Sequence, residues 1–141
     1  MSRLRSAGAG AVAALVWAAV EPLDRRAFRH DYSDVAMLGK LATRSRAWPL
    51  VGLSVHTVNG AAFGFAFHEA RVRTGARPVR LGVALALAEH AVLYPLAPLV
   101  DRFHPARGEP GLAPLATPSG FAQATFRHSL FGAVLGALAR P

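Results

Sequence analysis

Four apolar runs of about twenty residues, separated by segments that hold most of the charge, limit what this chain can become. The runs are 7–20 with Leu4 and Leu23 as flanks, 47–67, 81–100 and 120–139. A helix needs about 20 mostly apolar residues to cross a bilayer core. The runs are rich in Ala and Leu and lack the period-two alternation of a membrane barrel. They predict an all-α fold, an antiparallel four-helix transmembrane bundle with a short interfacial amphipathic helix. A single integral membrane domain over 1–141 follows, with spans at about 4–23, 47–67, 80–100 and 120–139.

Composition points the same way. Apolar residues make up 52% of the chain and charged residues 17%, where a soluble domain is nearer a quarter charged. There is no cysteine, which excludes disulfides, thiolate metal sites and cysteine nucleophiles. The net charge of +8 is carried by arginines and the single Lys40. These bracket the apolar runs, as snorkelling residues do at headgroups. No basic segment is interleaved with exposed aromatics, as a single-strand nucleic-acid platform requires. The partner predicted is therefore the lipid bilayer and not nucleic acid. The Arg, Ala, Gly and Pro skew indicates a GC-rich bacterial genome, hence a bacterial cytoplasmic (inner) membrane.

The first run, preceded by MSRLR, also has the outline of a signal peptide. Trp17 and Val20 stand where a peptidase needs small residues, which favours a retained span. Residues 24–46 are mixed in sign and contain a short amphipathic helix near 33–44, capped by Ser33, with Val35, Leu38, Leu41 and Ala42 on one face. Residues 68–80 are short and basic, so the second and third spans are expected to be antiparallel neighbours. Residues 101–119 are rich in Pro and Gly and read as an irregular loop. Basic residues divide almost evenly between the two sides, so the positive-inside rule sets no orientation.

The spans carry polar residues at matched depth. Gly52, His56, Gly60 and Gly64 recur every four residues, with Asn59 beside them; Ala124, His128, Gly132 and Gly136 repeat the device. Such small-residue faces let membrane helices approach closely. With a rise of about 1.5 Å per residue, His56, Asn59, Glu89, His90, Arg127 and His128 fall within roughly one helical turn in depth. Glu21 and Asp24 are peripheral to this layer. An arginine at the centre of a span costs about 3 kcal/mol on insertion scales, so Arg127 needs a carboxylate, with Glu89 as first candidate and Glu21 as second. Pro95 and Pro98 each remove a backbone hydrogen bond and predict a kink beyond His90.

Two uses of the layer are open at this level. One is structural, holding helices in register. The other is functional, as a pathway for protons, ions or small solutes, or as a metal or haem site on His56, His90, His128 and Glu89. No cofactor is predicted; no local ligand motif supports the metal version, and Arg127 opposes a cation. An enzyme would draw on Ser54, Thr57 or Ser129, none in a nucleophile–base pattern. An accessory or assembly subunit, bound to a protein partner or to copies of itself, is a further class.

The strings WAAVEPLDRR, DYSDVAMLGKL, HTVNGAAFG and AEHAVLYP resemble those of small four-span membrane proteins of actinobacterial type, a group without an assigned activity. The resemblance implies four transmembrane helices, and no reaction, ligand or catalytic residue.

Overall fold

The structure, a computed structural model, describes residues 2–139, so Met1 and the last two residues of the predicted domain lie outside it. It is all-helical. The elements are α1 (Arg3–Ala27), α2 (Asp34–Ala42), α3 (Trp48–Thr74), α4 (Pro78–Leu93), α5 (Ala97–Phe103) and α6 (Pro118–Leu138). Tyr94–Leu96 form a turn of 3-10 helix between α4 and α5. That break falls where Pro95 and Pro98 remove main-chain donors, as expected.

Three helices are long and apolar enough to cross a membrane: Arg3–Ala27, Trp48–Thr74 and Pro78–Phe103, the last counted across the 3-10 turn. They are longer than the predicted 4–23, 47–67 and 80–100. The fourth, α6, is not among them, because Gln123, Arg127 and His128 dilute its apolar character.

Local chemistry sets the helix ends. Ser33 is the N-cap of α2, its hydroxyl accepting from the Ala36 N–H at 3.0 Å, and Thr117 does the same for α6 through Gly120 at 3.0 Å. Gly75 stops α3 in the left-handed region at φ 63°. The end of α1 uses that geometry without glycine. Arg29 takes φ 50° there, and the His30 N–H reaches the Arg25 carbonyl at 3.1 Å.

Close approach through glycine builds two helix pairs. On α3, Gly60 and Gly64 lie against Ser6, Gly10 and Ala14 of α1. On α6, Gly132 and Gly136 lie against Pro78, Val79 and Gly82 of α4. Contact between α1 and α6 joins the pairs. The second and third long helices, expected as packed neighbours, barely touch. The short turn 75–77 links them in sequence, yet both have turned their glycine faces to other partners. The α1/α6 seam holds the apolar core around Ala13, Ala14, Trp17, Phe67, Phe131 and Leu135.

The predicted amphipathic helix is α2, but its buried face differs. It packs against the first turns of α3, where Gly39 meets the Trp48 carbonyl and Gly52 meets that of Val35. Gly52 therefore serves the α2 contact and not a contact between spans. Ala36, Gly39 and Lys40 are buried, whereas Leu41 is 58% exposed and Ala42 is also exposed. Lys40 lies over the Trp48 ring, donates to the Pro110 carbonyl at 3.0 Å and pairs with Glu109 at 3.1 Å.

The stretch 104–117, read as an irregular loop, is tied down by side chains. His104 accepts from the Ala106 N–H at 3.1 Å and donates to the Met37 carbonyl at 3.0 Å. Asp101 receives the Leu115 and Ala116 N–H groups at 2.7 and 2.8 Å. Tyr32 and Leu112 form an isolated antiparallel bridge. The Asp31 carboxylate, held below its usual range by the Gly111 N–H and then by Arg25, closes the same junction. The result is a lid over one end of the helices.

His30 sits under this lid, buried, stacked on Tyr32 and 3.3 Å from the Ser119 hydroxyl. Burial first, and the nearby Arg127 second, push its pKa below the usual 6.5. The unfolded chain therefore takes up a proton at a higher pH than the folded one. Stability is fully present above 6.5 and is lost as pH falls towards the lowered value.

Three outcomes are expected. Gly60→Ala places a methyl group 2.6 Å from Ala14 Cβ and the Gly10 oxygen; it should destabilise the protein by about 1–3 kcal/mol in detergent unfolding. Gly8→Ala, with open space around it, should change stability by less than about 0.5 kcal/mol. For the lid, the drop in thermal midpoint from about pH 7.5 to about pH 5.5 should be smaller in His30→Gln than in the wild type.

Candidate functional site

The polar residues of α1, α3, α4 and α6 separate into two groups with different chemistry. The first surrounds Arg127. Its Nε and Nη2 donate to the Asp24 carboxylate at 2.7 and 2.5 Å, a two-pronged contact. Nη1 donates to Asp34 Oδ2 at 2.7 Å, and Nη2 also reaches the Tyr32 carbonyl at 3.0 Å. Glu21 stands 3.7 Å from Nη1. Only 1% of Arg127 is exposed, yet its charge and its donor directions are matched.

The carboxylates are themselves held. Gln123 donates to Asp24 at 2.8 Å and to the His30 carbonyl at 3.1 Å. Trp17 Nε1–H donates to Asp34 at 3.0 Å. Glu21 accepts the Ser33 hydroxyl at 2.5 Å and the Asp34 N–H at 2.8 Å. This cluster locks α1, α6 and the start of α2 together.

Glu89, the first candidate for Arg127, does not pair with it. The Arg127 side chain runs towards the lid, where Asp24 and Asp34 wait, while Glu89 points elsewhere. Its side chain is 42% exposed, and its nearest charged or chargeable partner among the described residues is His128 Nε2 at 4.0 Å.

The second group lines a cleft. Because α3 and α4 do not pack together, a cavity of about 360 Å³ opens between them, with Trp17 of α1 and His128 of α6 in its floor. Asn59 and Glu89 are exposed on its walls, so they do not close into the helix core as expected. The Trp17 ring contacts His56 and His128 edge-on, with centroids 5.3 and 4.8 Å apart, and His90 lies 4.8 Å from His128.

Hydrogen bonds fix what the imidazoles offer. His128 Nδ1–H donates to the Ala124 carbonyl at 2.7 Å, and its Nε2 lies 4.0 Å from Glu89. The Thr125 hydroxyl donates to the Phe121 carbonyl, so its oxygen accepts from His90 Nε2–H at 3.0 Å and His90 Nδ1 keeps a lone pair. His56 is 8% exposed, and its Nε2 is buried without a partner. At the far side the cleft is closed by Phe63 against Phe131, centroids 5.1 Å apart, with the fully buried Phe67 and Leu135 beyond.

The candidate residues thus sort by position. His56, Asn59, Glu89, His90 and His128 share the cleft, and the clamp residues Tyr32, Asp34, Gln123 and Arg127 also border it. Glu21 and Asp24, read as peripheral, are the core of the clamp. Gly60, Gly64, Gly132 and Gly136 lie at close approaches between helices. The Thr57 and Ser129 hydroxyls donate back to the Leu53 and Thr125 carbonyls of their own helices, which removes them as poised nucleophiles; Ser54 is exposed. Among the described residues, no three His, Cys, Asp or Glu side chains are grouped as a metal site would need.

Sequence reasoning missed Trp17, Asp34 and Gln123. Trp17 and Asp24 carried a signal, since they continue the buried stripe Gly10, Ala14, Glu21 along α1. Asp34 carried none, because its place depends on how the chain folds back after His30.

Arg127→Met leaves buried carboxylates uncompensated and should destabilise by about 3–5 kcal/mol. Adding Asp24→Asn should recover part of that loss. Glu89→Gln should stay within about 0.5 kcal/mol of wild type in the same unfolding assay. The chain matches no protein-family model, no curated protein and no solved structure, so its own residues carry the functional reading.

Proposed function

We propose that this is a four-span protein of the bacterial cytoplasmic membrane, and that the cleft between α3 and α4 binds a membrane-soluble amphiphile. For α6 as the fourth span, the support is where its polarity points. Gln123 and Arg127 are turned fully inward, while Phe121, Phe126 and Leu138 face outward. The outer faces of the other long helices carry Leu15, Val58, Val72 and Val92, an apolar surface of the kind that lipid covers.

The single observation behind ligand binding is the cleft itself, about 360 Å³ between α3 and α4, with Asn59 and Glu89 exposed on its walls. The walls are mainly apolar with a few convergent polar groups, the pattern of a small-molecule site. Entry from the bilayer fits the gap between α3 and α4. The aromatic and aliphatic plug at Phe63, Phe67, Phe131 and Leu135 argues for a dead-end site and against a path through the protein.

The neutral lipophilic dye N-phenyl-1-naphthylamine tests this in Trp48→Phe protein, where Trp17 is the remaining tryptophan and lies in the cleft floor. Saturable energy transfer from Trp17 at about one dye per chain is expected, with loss of it when Asn59→Phe fills the cleft of a still-helical protein. Transfer that never saturates above micelles, or that Asn59→Phe leaves intact, overturns the reading.

A further inference from the structure

Resting on that cleft-binding reading, we infer that the molecule bound is a lipophilic organic cation and that Glu89 is its counter-charge. The geometry of the cleft carries this. Glu89 is a carboxylate on a helix apolar enough to span a membrane, and no Arg or Lys among the described residues pairs with it. Ionisable groups in such a segment are expensive unless matched, and among the described residues the nearest charged or chargeable partner of Glu89 is His128 Nε2, 4.0 Å away.

The surroundings favour positive charge throughout. In the neutral imidazoles the nitrogens left over by their hydrogen bonds, His128 Nε2 and His90 Nδ1, are acceptors. Arg127, the one basic side chain in the lining, is fully engaged by Asp24, Asp34 and the Tyr32 carbonyl. Three carboxylates, Glu21, Asp24 and Asp34, thus stand around one guanidinium, and Glu89 lines the same cleft apart from it. An anionic head such as a phosphate or a fatty carboxylate would meet acceptors and like charge. A cation would meet Glu89 and the aromatic side chains of Trp17, Phe63 and Tyr94, which line the same cleft and whose rings can attract desolvated cations. At about 360 Å³ the space suits a compact, bulky cation.

Protons compete for the same place. The titratable and charged groups that line the cleft with Glu89 are His128 and Arg127 of α6, His56 of α3, His90 of its own helix, Asp34 at the start of α2, and Tyr32 and Tyr94. Protonating Glu89 removes the counter-charge, and protonating the imidazoles adds repulsion, so both weaken cation binding as pH falls. When a cation enters a protonated cleft, the Glu89 proton leaves to water and one positive charge replaces another.

Equilibrium dialysis of tritiated tetraphenylphosphonium against the full chain in detergent, with empty micelles as the blank, tests the inference. The anion tetraphenylborate serves as a partner of equal size and opposite charge. Tetraphenylphosphonium should bind at about one per chain, tetraphenylborate should not, and Glu89→Gln should weaken the cation by about tenfold or more. Wild-type affinity should fall from about pH 8 to about pH 4, with a shallower fall in Glu89→Gln, which lacks the carboxylate. Equal binding of both ions, no binding of the cation, or an unchanged affinity in Glu89→Gln overturns the cation assignment. Saturable binding of the neutral dye alongside any of these would leave the cleft reading standing, so the two failures are distinguishable.

Discussion

A guanidinium buried in an apolar helix cannot stay there without negative charge at bonding distance, and much of this architecture follows from meeting that need. Arg127 lies on α6, but its carboxylates come from α1 and from the start of α2. Satisfying it therefore fixes the angle at which α1 meets α6, and it pulls the chain after His30 back across the helix ends. The Tyr32 carbonyl completes the donor set, so the loop backbone is as much part of the clamp as the side chains. Desolvation of several charges at once is costly, and only dense hydrogen bonding offsets it. Trp17, Ser33 and Gln123 supply that density.

With α1 and α6 locked, the glycine faces decide the rest. α3 settles on α1 and α4 settles on α6, each at a distance only glycine permits. Neither outer helix has a small-residue face left for the other, and the gap between them is the cleft. Structural and accessible polarity thus sit side by side in one layer: the clamp is densely hydrogen-bonded where it borders the cleft, while Asn59 and Glu89 are exposed on the cleft walls. Trp17 touches both, through its N–H to Asp34 and its ring against His56 and His128.

Much of this was legible in the residues. Hydropathy located the three long apolar helices, the every-fourth-residue glycines marked the contact faces, and Ser33 marked the start of α2. Helical spacing also placed His56 and His128 at a common depth. The partner of Arg127 was not legible, because a ruler along helix axes measures Cα height while an arginine side chain reaches about a turn away from its own Cα. Asp34 belongs to a fold-back that periodicity does not encode. The short turn between α3 and α4 suggested adjacency, but a turn constrains only the chain ends and the glycine faces settled the matter. The segment 104–117 looked irregular from its Pro and Gly content. Its order comes from Asp101, His104 and Tyr94 reaching to backbone groups distant in sequence.

The separation of a sealed clamp from an open cleft is the central claim, and the absence of native cysteine makes it directly measurable. Single cysteines at positions 59, 89 and 123, treated with N-ethylmaleimide in native membranes, report water-wetted access side by side. Modification at 59 and 89 with protection at 123 is the predicted result. A reactive position 123, or inert positions 59 and 89, would contradict it.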